Sequence, residues 1–148
     1  MSAFQFISTL DLQEFMLNGL SVPNEWVVDQ PLIALHNDDK LIVPRGYITD
    51  LASIPRVFRN VFNVNGPLRA PAVLHDWLYS SQRFTRAQSD AIFLAAMEAR
   101  GIDKAERYAI YSAVRSFGWA YWNKRKAGLG LNAQDFVPPG YFTGVSTR

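Results

Sequence analysis

Residues 74–90, LHDWLYSSQRFTRAQSD, carry the chain's strongest candidates for chemistry. His75, Asp76 and Tyr79 fall on one predicted helix, and Asp90 lies near the start of the next. A histidine held by a carboxylate is what a general base requires, because the partner fixes the tautomer and the ring orientation. If Gln82 and Arg83 sit at the middle of a helical hairpin, His75 and Asp90 are equidistant from the turn. In an antiparallel pair they then stand at the same height. His75 shares a helical face with Leu78 and Tyr79, while Asp76 points roughly 100° away. Asp90 belongs to the stripe Asp90, Phe93, Leu94 and Met97, which is otherwise apolar. A buried carboxylate must find a partner or take up a proton, and His75 and Tyr79 are the nearest candidates. Three readings follow: a polar brace between two helices, a catalytic group of His75, Asp90 and Tyr79, or a metal site.

The ligand types narrow the metal reading. The chain has two histidines, His36 and His75, and no cysteine. Three-histidine zinc sites, thiolate sites and disulfides are therefore excluded, and a phosphohydrolase of the HD type lacks its further histidines. Asp76 and Asp50, with Asp90, are hard oxygen ligands that suit calcium or magnesium. Asn65 and Gly66 could add to such a site. The segment TDLASIP, residues 49–55, is a second constellation. Asp50 and Ser53 either cap a short helix and its turn or, on the functional reading, Asp50 approaches the His75 hairpin as a third acid.

These residues need rigid elements to place them. A chain of 148 residues with 49% hydrophobic composition is sufficient for one domain with a real core, which argues against disorder. Net charge is only +2 and the basic residues are dispersed, apart from Lys124, Arg125 and Lys126 and a looser set at Arg56, Arg59 and Arg69. No specific nucleic-acid partner is expected from so weak a footprint. No targeting segment and no apolar run near the ~18 residues of a membrane span are visible, so synthesis in the cytoplasm is expected.

Residues 1–25 mix polar and apolar positions without a clean period and read as an N-terminal arm or lid. WVVDQPLIALH, the turn Asn37-Asp38-Asp39 and KLIVP read as a two-stranded hairpin, with Pro31 holding its strand at an edge. YITDLA continues as an extended piece. Ser53 before Ile54-Pro55 predicts a short helix over PRVFRNVF. A helix follows from about Pro71 to Ser81. Thr85 with Gln88 opens another that Gly101 closes, and Asp103 caps a long amphipathic helix running through Tyr121, with Gly118 as a close-packing point. Residues 128–148, rich in Gly and Pro, read as a mostly extended tail. The expectation is α+β: a small N-terminal antiparallel sheet, then a bundle of three to four helices within a single domain over 26–127, then an extended C-terminal tail.

VPRGYITDLASIPR, then APAVLHDWLY, then SDAIFLAAM resembles an uncharacterised family of phage and prophage proteins with a VPxGFxTDLASxP segment, an AAxLHDxLY helix and an AD-type helix ending in Met. The likeness spans roughly residues 26–118. Tyr47 stands where Phe is usual, and Ser89 where Ala is usual. HDWLY with an acid on the partner helix is also similar to the HDxxY helix of secreted calcium-dependent phospholipases and their viral capsid relatives. That likeness implies that His75 activates water, Asp76 binds calcium, and Asp90 and Tyr79 hold the imidazole.

The first resemblance implies a phage or prophage origin; with four Trp, six Tyr and ten Phe in a small chain and tails at both ends, the expectation is a virion-associated structural or adaptor protein, of the tail or baseplate, with other phage structural proteins or further copies of itself as partners. The second implies a small hydrolase acting on an ester or an envelope component. The arm DFVPPGYFTG, with Phe136, Tyr141 and Phe142, is expected either to anchor on a neighbouring subunit or to pack on its own domain.

Overall fold

The computed structural model describes residues 3–51, 53–55, 66–128 and 130–143. Two three-stranded antiparallel sheets come first and four helices follow, the α+β arrangement expected. The strands are β1 (Phe4–Phe6), β2 (Asp11–Leu17), β3 (Leu20–Gln30), β4 (Leu32–His36), β5 (Asp39–Val43) and β6 (Ile48–Thr49). One sheet has the order β1-β4-β5 and the other β2-β3-β6. Pro31 is not an interior position of an edge strand. It separates β3 from β4, and there the chain passes from one sheet to the other.

The segment expected as an arm contributes strands to both sheets. β2 and β3 close on the two-residue loop Asn18-Gly19, with φ of 52° and 79°. Two positive φ values are what a tight hairpin turn matched to strand twist demands. The ladder shifts register between Glu14 and Met16, leaving Phe15 buried at a bulge. The β4–β5 hairpin turns at Asn37-Asp38, with His36 opposite Asp39.

Four helices are described: α1 (Arg69–Ser81), α2 (Arg86–Ala99), α3 (Lys104–Phe117) and α4 (Trp119–Ala127). The Thr85–Gln88 capping box forms in full, at 3.1 and 2.9 Å. Asp103 accepts from the N–H groups of Ala105 and Glu106. The single long amphipathic helix is instead two, α3 and α4, divided at Gly118. No helix among the described residues is long and apolar enough to cross a membrane. The helix expected over PRVFRNVF lies outside the described residues.

α1 is the central element. Ten of its thirteen residues are buried, a pattern that marks a helix enclosed on most sides. It packs on α2, α4 and β6, while α2 also meets β1 and α3. Leu74 and Leu78 of α1 share the core with Leu41, Val43, Phe93 and Met97. Because α1 is wrapped in this way, its polar residues are carried into the interior.

The tail departs from the extended expectation by forming short 3-10 turns at Ala133–Asp135 and Tyr141–Thr143. Of its two expected placements, packing on its own domain is the one observed. Phe136 bridges to Tyr47, Val137 N–H donates to Gly46 O at 2.9 Å, and Tyr141 Oη accepts from Met16 N–H at 2.8 Å. The Arg45 guanidinium lies 3.7 Å from the Phe142 ring centre. A bidentate Arg125–Asp135 pair at 2.8 and 2.7 Å fastens the tail to α4.

Candidate functional site

α1 presents His75 and Asp76, adjacent in sequence, to two separate polar clusters. The first joins α1 to α2 and α3. His75 Nε2 lies 2.7 Å from Asp90 Oδ1, and Tyr79 Oη donates to the same oxygen at 2.7 Å. Asp90 Oδ2 accepts from Arg115 Nη1 of α3 at 2.7 Å and from Arg86 Nη1 at 3.5 Å. Arg86 also bonds the carbonyls of Val114 and Arg115 at the end of α3. His75 and Asp90 have no exposed side-chain surface.

Protonation in this cluster follows from its partners. Burial would raise the Asp90 pKa, but hydrogen bonds from His75, Tyr79 and Arg115 overcome it and hold the carboxyl below the usual range. Burial lowers the His75 pKa, with Asp90 pulling the other way. An ionised Asp90 beside a neutral imidazole requires the ring proton on Nε2. Nδ1 is then an unprotonated acceptor, and it has no partner. The ring is stacked on Phe93 at 4.3 Å and lies 4.4 Å from Tyr79.

The second cluster joins α1 to β6 and the strand-end turn before it. Asp76 Oδ2 accepts from Thr49 Oγ1 at 2.7 Å and from Tyr47 Oη at 3.1 Å, and Ser80 Oγ lies 2.7 Å from Tyr47 Oη. Asp76 is buried, and its Oδ1 has no partner. Burial, and next the charge of Asp50, pushes its carboxyl up to about 6 despite the bonds from Thr49, Tyr47 and Tyr121. Tyr121 is itself raised by burial and by the charges of Asp76 and Asp50. Leu51, also buried, has φ of 60°. A bulky residue there is strained, and such strain gathers at working sites.

His75, Tyr79 and Asp90 meet as the hairpin geometry predicts. Asp50 stands within electrostatic reach of Asp76 on α1, in the second cluster. Ser53 is buried, but its Oγ has no hydrogen-bond partner and so does not act as a cap. Among the described residues no group of three or more His, Asp or Glu side chains is arranged to hold a metal. Arg86, Arg115, Tyr47, Thr49 and Ser80 were not anticipated. Only Arg86 carried a local signal, lying four residues before Asp90 on one helix face.

Gly118 completes the first cluster by leaving room for Tyr79. A Cβ there would stand 2.7 Å from Tyr79 Oη and 2.5 Å from Val114 O. Gly118→Ala should therefore displace the Tyr79 hydroxyl and lower stability by about 1–3 kcal/mol, read as a lower melting temperature with a changed tyrosine near-UV signal.

A family model described as "Protein of unknown function (DUF1353)" matches residues 26–114. The chain belongs to that family. The DUF1353 segment contains both clusters on α1 and their acids, Asp50, Asp76 and Asp90, while Arg115 falls just past its end. β1, β2 and the tail lie outside it. No curated protein and no solved structure matches the chain.

Proposed function

We propose that this chain is a virion-associated structural or adaptor protein of a phage or prophage, positioned at the tail or baseplate, with His75 and Asp90 as an internal brace. The observation that carries the reading is the saturation of Asp90. Four donors from three helices converge on one sealed carboxylate. Burial outweighs the pull of Asp90 on His75, so the imidazole is a weaker base than usual even with a carboxylate partner. The motif resemblance supports the phage origin. The test is to purify particles made by the encoding phage or prophage and quantify the chain by mass spectrometry. A fixed copy number per particle is expected, together with particles lacking a complete tail when the gene is deleted. Absence from purified particles defeats the proposal.

A second reading, a small hydrolase, is favoured by one specific observation. Three buried polar atoms without partners, His75 Nδ1, Asp76 Oδ1 and Ser53 Oγ, fall within the two resemblance motifs, and such orphans call for an explanation. On this reading Nδ1 accepts the proton of an attacking water while Asp90 retains the one on Nε2. Asp76 Oδ1, with Asp50 nearby, would be the oxygen donor for calcium or magnesium, which would polarise the substrate carbonyl. The substrate would have to reach atoms now closed from solvent, which is why the brace comes first. Fatty-acid release from phosphatidylcholine vesicles with calcium, abolished in His75→Asn while the fold is kept, would reverse that order.

A further inference from the structure

β5 is the edge of its sheet, and among the described residues no other strand covers its outer side. In an antiparallel ladder the backbone groups of alternate residues point to opposite edges. The Lys40 carbonyl accepts from Arg83 Nη1 at 3.1 Å, on the side away from β4. Ile42, two residues on, therefore turns its N–H and C=O outward as well, and among the described residues neither has a partner. These groups open into a cleft of about 190 Å3 between β5 and the C-terminal end of α1. Its walls are Leu41 and Ile42 on one side and Trp77, Leu78 and Ser81 on the other, with Phe84 beyond. Ser81 Oγ is a buried hydroxyl without a partner.

We infer that this cleft binds an extended polypeptide segment of another protein by adding a strand to β5. The free N–H and C=O of Ile42, side by side on the outer edge of β5, are matched by one residue of an extended backbone. The apolar walls suit a segment with an apolar side chain at every second residue. Among the described residues, Lys40 and Arg83 at one end are offset only by Asp39, 3.8 Å from Arg83, so an acid belongs on that end of the ligand. The α1 wall makes the edge a slot that admits one strand, and antiparallel self-pairing centred on Leu41 would set Lys40 against Ile42 of the other copy. A partner segment fits better than a second copy. The slot's chemistry is independent of whether the chain is a virion part.

The probe is the peptide acetyl-EVTVTV-amide, titrated into 15N-labelled protein. Saturable shifts of the Ile42 amide and the Trp77 indole below ~1 mM are expected, with hydrogen exchange at Ile42 slowed at least ~10-fold. Ile42→Pro removes only an outward N–H, which an edge strand tolerates, and should weaken binding at least ~10-fold. Ser81→Ala tests the opposite wall should the proline variant not fold, and should also weaken binding. Replacing Glu by Lys in the probe should do the same. Absence of saturation, or binding indifferent to both variants, overturns the inference. So does Ile42 protection that rises with protein concentration alone while the sedimenting mass doubles, because the slot then takes a second copy.

Discussion

Asp90→Ala should lower stability by about 3–5 kcal/mol, because it leaves the donors of His75, Tyr79 and Arg115 facing a void in the interior. For a chain of this length that is a fall of about 10 °C in melting temperature. The loss should not be shared evenly. Arg115 is a third exposed and can turn to water, whereas His75 Nε2 and Tyr79 Oη cannot. Asp90→Asn, which keeps the shape and one acceptor, should cost less. The Asp90 carboxyl is held low, so its contribution is present above the unfolded pKa and is lost as pH falls through the folded one. The difference between wild type and Asp90→Ala should therefore shrink in acid. Thermal melts across pH measure this, and a change under ~2 °C at neutral pH would remove the brace from the account.

Asp76→Asn is expected to act in the opposite direction. Its carboxyl is pushed from 3.8 to about 6, first by burial and then by Asp50. Between those values the folded chain binds more protons than the unfolded one, so this group's contribution falls as pH rises. The favourable contribution of the protonated form is complete below pH 4 and gone above pH 6, a difference of about 3 kcal/mol. An amide is never ionised and still accepts from Thr49 and Tyr47. Asp76→Asn should therefore melt higher than wild type by about 6–12 °C at pH 7 to 8 and converge with it near pH 4. If the two proteins melt together at every pH, Asp76 is not ionised against its surroundings and the second cluster is structural.

What could be read in the chain followed the range of each signal. The α1–α2 hairpin was legible because its boundaries rest on nearby residues, Ser81, Thr85 and Gln88, and its symmetry then paired His75 with Asp90. Arg115 lies 25 residues from Asp90, and no local pattern distinguishes it from a surface arginine. The same holds for Tyr47 and Thr49, which reach Asp76 only after β6 has docked on β3. The first strands were missed for another reason. Asn18-Gly19 is a strong hairpin signal, but the bulge at Phe15 and the left-handed Asn24 break the alternation on both sides of it. Pro31 was given the wrong consequence, since it ends one strand and redirects the next. Gly118 was recognised as a contact point, but its division of the helix was not.

The passage between sheets at Pro31 also bears on the order in which the chain assembles. β2–β3 and β4–β5 each close over a two-residue loop, so both can form from local encounters. β1 must find β4 across about 25 residues, the whole of the other hairpin included. Closing that loop costs about 3 kcal/mol in chain entropy before any contact repays it. Three residues of edge strand, with Phe4 as their buried anchor, return little of that early on. β1 should dock late, after both hairpins stand, and its residues should be the first to lose amide protection when the protein opens.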